Sequence, residues 1–156
     1  MLPINQKISK YNHTPKGNAI KYIVIHDTGN INDSDEGNAN YFAQDGRKAS
    51  AHYFVDDNSI TQVVNDIDCA WHVGDGKGMF GITNRNSLGI ETCRKNNVVT
   101  ALTEKNTLEL VQFLMKKYKV PASNVVRHYD ASRKNCPSSF SKNDWARWKE
   151  FKIKLG

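Results

Sequence analysis

The chain is 156 residues long, with 38% hydrophobic residues, 24% charged residues and a formal net charge of +6. This is the size and make-up of one soluble globular domain, able to bury roughly two thirds of its unfolded surface without disulfide staples, and no apolar run approaches the ~20 residues of a membrane span. The positive charge favours polyanions of any kind, but the lysines and arginines are scattered, not gathered into the basic, aromatic-interleaved block of a dedicated nucleic-acid domain.

The first segment, Met1-Leu2-Pro3-Ile4-Asn5-Gln6-Lys7, lacks the apolar stretch of a signal peptide, so synthesis in the cytoplasm is expected, with any exit by another route. Residues 19–27 read as a strand, with Ile20, Tyr22, Val24 and His26 on one face and Ile23 and Ile25 on the other. Both faces are largely apolar, which predicts a strand covered on both sides. His26 falls at its C-terminal end, where open α/β sheets place ligand sites. A short helix is expected over 35–44, packing through Ala39, Phe42 and Ala43. Two strands follow, 50–56 and 60–64, joined by the turn-rich Asp56-Asp57-Asn58-Ser59. Residues 88–93 form another strand, with Gly89, Glu91 and Cys93 on one face. The clearest helix runs over 103–118, with Thr103 as N-cap and Leu108, Val111, Met115 and Tyr118 at helical spacing. A last helix starts at Ser141 with Asp144 completing a capping box, and its stripe Trp145, Trp148 and Phe151 reads as core. The expected fold class is α/β: a single domain over 1–156, a central sheet of mixed direction, and helices on both faces.

Three candidate metal ligands stand out: His26 in Ile25-His26-Asp27-Thr28, His128 in Arg127-His128-Tyr129-Asp130, and Cys136 in Asn135-Cys136-Pro137. Imidazole and thiolate are preferred zinc ligands, and three protein ligands leave a fourth position for water. Spacing alone does not separate this reading from two packed histidines and a buried thiol. Cys69 and Cys93 read as ordinary buried thiols. Glu91 sits in the apolar strand Leu88-Gly89-Ile90-Glu91; it either faces solvent or is an inward carboxylate that needs a partner. His52 reads as a hydrogen-bonded buried histidine. Gly74-Asp75-Gly76-Lys77-Gly78 lacks the Gly-Lys-Ser/Thr ending of a phosphate loop and reads as a flexible loop.

The pieces Tyr22-Ile23-Val24-Ile25-His26-Asp27-Thr28, Ser50-Ala51-His52-Tyr53-Phe54-Val55, Ala70-Trp71-His72, Asn86-Ser87-Leu88-Gly89-Ile90-Glu91 and Arg127-His128-Tyr129-Asp130 through Cys136-Pro137 occur in this order. Together they resemble the zinc N-acetylmuramoyl-L-alanine amidases of phages and bacteria, which share a fold with peptidoglycan recognition proteins. The resemblance covers about 20–137. It implies one Zn²⁺ on His26, His128 and Cys136, with Glu91 as general base and Lys134 as the lysine beside the metal that stabilises an oxyanion. It implies that Trp71 and His72 line the substrate groove, with the 74–78 loop at its edge. Ala51 stands where some members carry a tyrosine near the zinc water, which puts more of the base function on Glu91; Tyr53, expected on the side of Ala51, is not assigned catalysis.

The implied activity is hydrolysis of the amide between N-acetylmuramic acid and L-alanine in peptidoglycan, in an endolysin that acts on the wall after release from the cytoplasm. Neither a nucleic-acid partner nor membrane insertion is expected. A separate cell-wall-binding domain, where the whole protein carries one, lies outside these residues. The rival readings are a catalytically silent peptidoglycan receptor on the same fold and a nucleic-acid- or polymerase-binding protein.

Overall fold

The computed structural model describes all residues, 1–156. Its centre is a six-stranded sheet in the order β1 (Ile4–Gln6), β5 (Ile60–Gln62), β4 (Tyr53–Val55), β7 (Ser87–Thr92), β3 (Tyr22–Asp27) and β8 (Val125–Arg127). Strands β4, β7, β3 and β8 run parallel; β5 is antiparallel to β4, and β1 is parallel to β5. The sheet is therefore mixed, as expected. A small antiparallel pair, β2 (His13–Thr14) with β6 (Cys69–Ala70), stands apart.

Alternation along β3 sends Ile23 and Ile25 into the main core, where they meet Leu88 and Ile90 of β7 and Tyr53 and Val55 of β4. Helices α2 (Ala101–Tyr118) and α4 (Lys142–Lys154) close that face with Leu110, Val111, Leu114, Trp148 and Phe151. On the opposite face Val24 packs with Val73, Ile82 and Ala131, and Phe54 packs with Ala39, Ala51 and Val63 beneath α1 (Asp35–Phe42). The short α3 (His128–Ser132), which contributes Ala131, lies on this second face. Both faces of β3 are thus covered, which is why its sequence is apolar in both parities.

Several local expectations shift. The N-cap of α2 is Thr100, whose hydroxyl accepts from the Thr103 amide at 3.1 Å, so the helix begins one turn before the start read from the apolar spacing. Ser141 caps nothing with its side chain, because its hydroxyl donates to the Ser138 carbonyl; Asp144 pairs with Lys149 at 2.7 Å and forms no capping box. The first turn of α4, Asn143 to Trp145, is left-handed, and the regular helix follows it. Its aromatic stripe does enter the core, where the rings of Trp148 and Phe151 stack 5.5 Å apart. Tyr53 and Ala51 belong to opposite cores, because β4 begins only at Tyr53 and strand parity does not reach back to Ala51.

Candidate metal centre and cleft

Parallel pairing brings the first chemical groups together. His26 of β3 is directly in register with Glu91 of β7, and Ile25 is in register with Arg127 of β8. One residue further, the chain leaves β8 as His128 and turns into α3. Three strand ends thus deliver His26, Glu91 and His128 to the same level of one sheet face. The turn into α3 is fixed by Asp130, which accepts the Arg127 amide at 2.8 Å and its guanidinium at 2.6 Å.

Cys136 arrives on the loop after α3. Its carbonyl accepts from the Tyr129 amide at 3.0 Å. Asp27, the residue after His26, accepts from the Ser138 hydroxyl at 3.0 Å and the Ser139 amide at 2.7 Å. The Asp27 carboxylate therefore ties the cysteine loop to the end of β3. Nothing in the reading of the sequence assigned Asp27 this clamp; its position next to His26 was the available signal.

Nδ1 of His26 lies 3.0 Å from Nδ1 of His128 and 3.9 Å from Sγ of Cys136, and all three ligand atoms lie within 4.8 Å of one another. All three residues are buried. Burial, then the neighbouring His72 and His128, pushes the His26 imidazole well below the usual histidine range; burial also lowers His128, against the opposing pull of Asp75. Neutral imidazoles are what a metal requires. Burial, then Glu91, pushes the Cys136 thiol up, so a thiolate here needs a cation beside it.

Glu91 places Oε1 4.0 Å from Nδ1 of His26, while its buried Oε2 has no hydrogen-bond partner. Burial, reinforced by Asp27, raises its carboxyl to about 8. Two imidazoles, one thiol and an unpartnered carboxylate oxygen around one point are costly in isolation and fit a divalent cation with soft and borderline ligands. Nitrogen and sulfur donors in a three-residue set favour zinc over magnesium or calcium.

The site opens into a cavity of ≈ 170 Å³ lined by His26, Glu91, His128, Cys136, Lys134 and Trp71, among others. Lys134 is exposed on its rim, two residues before Cys136. Trp71 stands at the wall, its indole N–H donating to the Thr14 hydroxyl at 3.0 Å. A larger hollow of ≈ 590 Å³ continues past Glu91 beneath α1, sharing Thr28, Phe42, Phe54 and Glu91 with the first.

His72 borders the cavity, where the resemblance puts it, and its ring nitrogens face two protein partners: Nδ1 faces His26 Nε2 at 2.9 Å and Nε2 faces the Ser87 hydroxyl at 3.1 Å. One expectation changes. The 74–78 stretch forms a 3₁₀ turn, Gly74–Gly76, and Asp75 reaches His128 Nε2 at 2.8 Å. A Cβ on Gly76 would sit 2.2 Å from the Ala131 carbonyl oxygen, so only glycine lets this turn press against α3. His52 is as expected: Nδ1 accepts from the Gly89 amide and Nε2 donates to the Asp68 carbonyl, both at 3.0 Å.

A family model described as N-acetylmuramoyl-L-alanine amidase matches residues 16–139. A probable N-acetylmuramoyl-L-alanine amidase of Bacillus licheniformis is 36% identical over 130 residues, covering 77% of this chain and 37% of its own length. The N-acetylmuramoyl-L-alanine amidase CwlH of Bacillus subtilis (strain 168) is 32% identical over 132 residues, covering 83% of this chain and 52% of its own. The chain thus spans about half or less of these two relatives. Among solved structures, a mutant endolysin from Bacillus subtilis superposes with a TM-score of 0.87 at 32% identity, covering all of both chains. The catalytic domain of XlyA superposes with a TM-score of 0.86 at 31% identity, covering 99% of this chain and 100% of that one.

Proposed function

Since the chain belongs to the N-acetylmuramoyl-L-alanine amidase family, we propose that it is a single-zinc hydrolase that cuts the amide between N-acetylmuramic acid and L-alanine in peptidoglycan and so lyses the bacterial wall. The observation that carries this reading is the meeting of His26, His128 and Cys136 ligand atoms within 4.8 Å, beside Glu91, at the floor of an open cleft. When bound there, zinc supplies an acidified water and Lewis-acid pull on a carbonyl.

The chain's own residues do the rest. Glu91 is the general base: Oε2, buried and unpartnered, is free to take a proton from the attacking water. Burial and Asp27 raise its carboxyl to about 8, and a cation held by His26, His128 and Cys136 would favour its ionised form. The water oxygen bonds to the carbonyl carbon of the lactyl group. Lys134, on the rim, donates to the carbonyl oxygen as negative charge develops on it. The carbon–nitrogen bond then breaks, and Glu91 returns its proton to the departing alanine nitrogen. The products are a muramyl carboxylate and a free peptide amine. Trp71 offers an apolar face to the glycan or stem peptide, and the hollow beneath α1 has room for more of the same polymer.

A net charge of +6 suits an anionic wall. In this reading the enzyme is made in the cytoplasm and acts after release, and a cell-wall-binding domain, where the whole protein has one, supplies targeting. No helix is long and apolar enough to cross a membrane.

The test is mass spectrometry of purified peptidoglycan after digestion. New L-alanine amino termini without new reducing sugar ends are expected, lost on chelation and regained with zinc. Binding without cleavage would mark a silent receptor and overturn the proposal.

A further inference from the structure

The hydrogen bonds behind the two histidines determine which of their nitrogens can hold a cation. The Thr83 carbonyl can only accept, so the Ser87 hydroxyl, 2.6 Å away, spends its proton there. Ser87 Oγ must then accept from His72 Nε2–H at 3.1 Å. A neutral His72 protonated at Nε2 presents a lone pair at Nδ1, which accepts from His26 Nε2–H at 2.9 Å. His26 is left with its lone pair on Nδ1. On the other side, the Asp75 carboxylate accepts from His128 Nε2–H at 2.8 Å, leaving that lone pair on Nδ1 as well.

The two Nδ1 atoms so exposed are the pair that face each other at 3.0 Å. Two lone pairs at that distance repel unless a cation lies between them. Two glycines make room for the supports. A Cβ on Gly89 would lie 2.7 Å from the His72 ring, and one on Gly76 would strike the Ala131 carbonyl oxygen.

We propose that His72, set by Ser87, and Asp75 are positioning residues that lock His26 and His128 as Nδ1 ligands of the metal. This rests on the zinc reading above. Such outer partners orient a ligand ring and raise its basicity, and their loss typically weakens metal binding about 10- to 100-fold.

The experiment measures zinc affinity by chelator competition for the parent, His72→Ala, His72→Asn and Asp75→Ala. Ten- to hundredfold weakening is expected for both alanine variants. His72→Asn, whose side-chain oxygen can replace Nδ1 as acceptor, is expected to recover much of the loss. Long-range ¹H–¹⁵N spectra of the zinc-loaded parent are expected to show protons on Nε2 of both His26 and His128. Asp75 lies on a turn with its side chain 48% exposed, so its variant folds even if His72→Ala does not. Alanine variants that bind zinc within twofold of a tight-binding parent, or an Nδ1–H on either ligand in the loaded protein, overturn this inference and leave the amidase proposal standing. A parent that binds no zinc overturns both.

Discussion

Glu91 shows how surroundings suit one residue to the role proposed for it. In sequence it is a carboxylate in an apolar strand; in the fold it sits beside His26 with one oxygen unpartnered. Glu91→Gln is expected to bind zinc as the parent does and lose about 10²- to 10⁴-fold in kcat, read from wall digestion alongside a metal assay. Cys136→Ser replaces a thiolate with a hydroxyl, a much poorer zinc ligand, so zinc content after dialysis and activity are expected to fall together. Lys134→Ala is expected to lower kcat by about 10²- to 10³-fold while zinc affinity holds, since the lysine is on the rim and ligates nothing. His26, His128 and Cys136 were legible from residue type and motif order. Asp75 and Asp27 were not, because a carboxylate that supports a ligand looks, in sequence, like any loop aspartate.

At the scale of the element, β3, β4, β5, β7, α1, α2 and α4 were legible, their ends were not, and the short β1, β8, β2–β6 pair and α3 were not read at all, because two to five residues carry too little periodicity. Alternation and helical spacing report which face is buried over several residues. A cap depends on one hydroxyl's choice among nearby partners. Thr100 accepts the Thr103 amide and so begins α2 before its apolar stripe does. Thr100→Ala is therefore expected to destabilise the fold by about 1 kcal/mol in urea denaturation, whereas the reading that made Thr103 the cap predicts no effect there. The 74–78 stretch was read as a flexible loop because it lacks the ending of a phosphate loop. Tertiary contact reverses that reading, since Gly76 is the residue that allows the closest approach to α3.

For the whole molecule, stability is expected to depend on pH and, in the zinc reading, on metal. His52 is fully buried, and burial lowers its imidazole from 6.5 to about 4. The unfolded chain therefore binds a proton below about pH 6.5 that the folded chain refuses until about pH 4. Stability is fully present above that window and falls as pH drops through it, by of order 3 kcal/mol from this group. Thermal unfolding from pH 7 to 4 is expected to show a shallower decline in His52→Gln than in the parent, although the variant starts lower. Chelation is expected to lower the Tm of the zinc-loaded protein, because a metal that binds the folded state preferentially stabilises it by mass action.

By itself the sequence determined the α/β class, the apolar strand that carries His26 near its end, the main helix, and the donor types of the candidate ligands, because burial patterns and donor chemistry are properties of residues in order. Only the tertiary structure decided that His26 lies level with Glu91 and beside His128, that Asp27 holds the cysteine loop, and that His72 and Asp75 face the backs of the two imidazoles. Those relations join residues tens of positions apart, and they exist only once parallel strands have paired in one register.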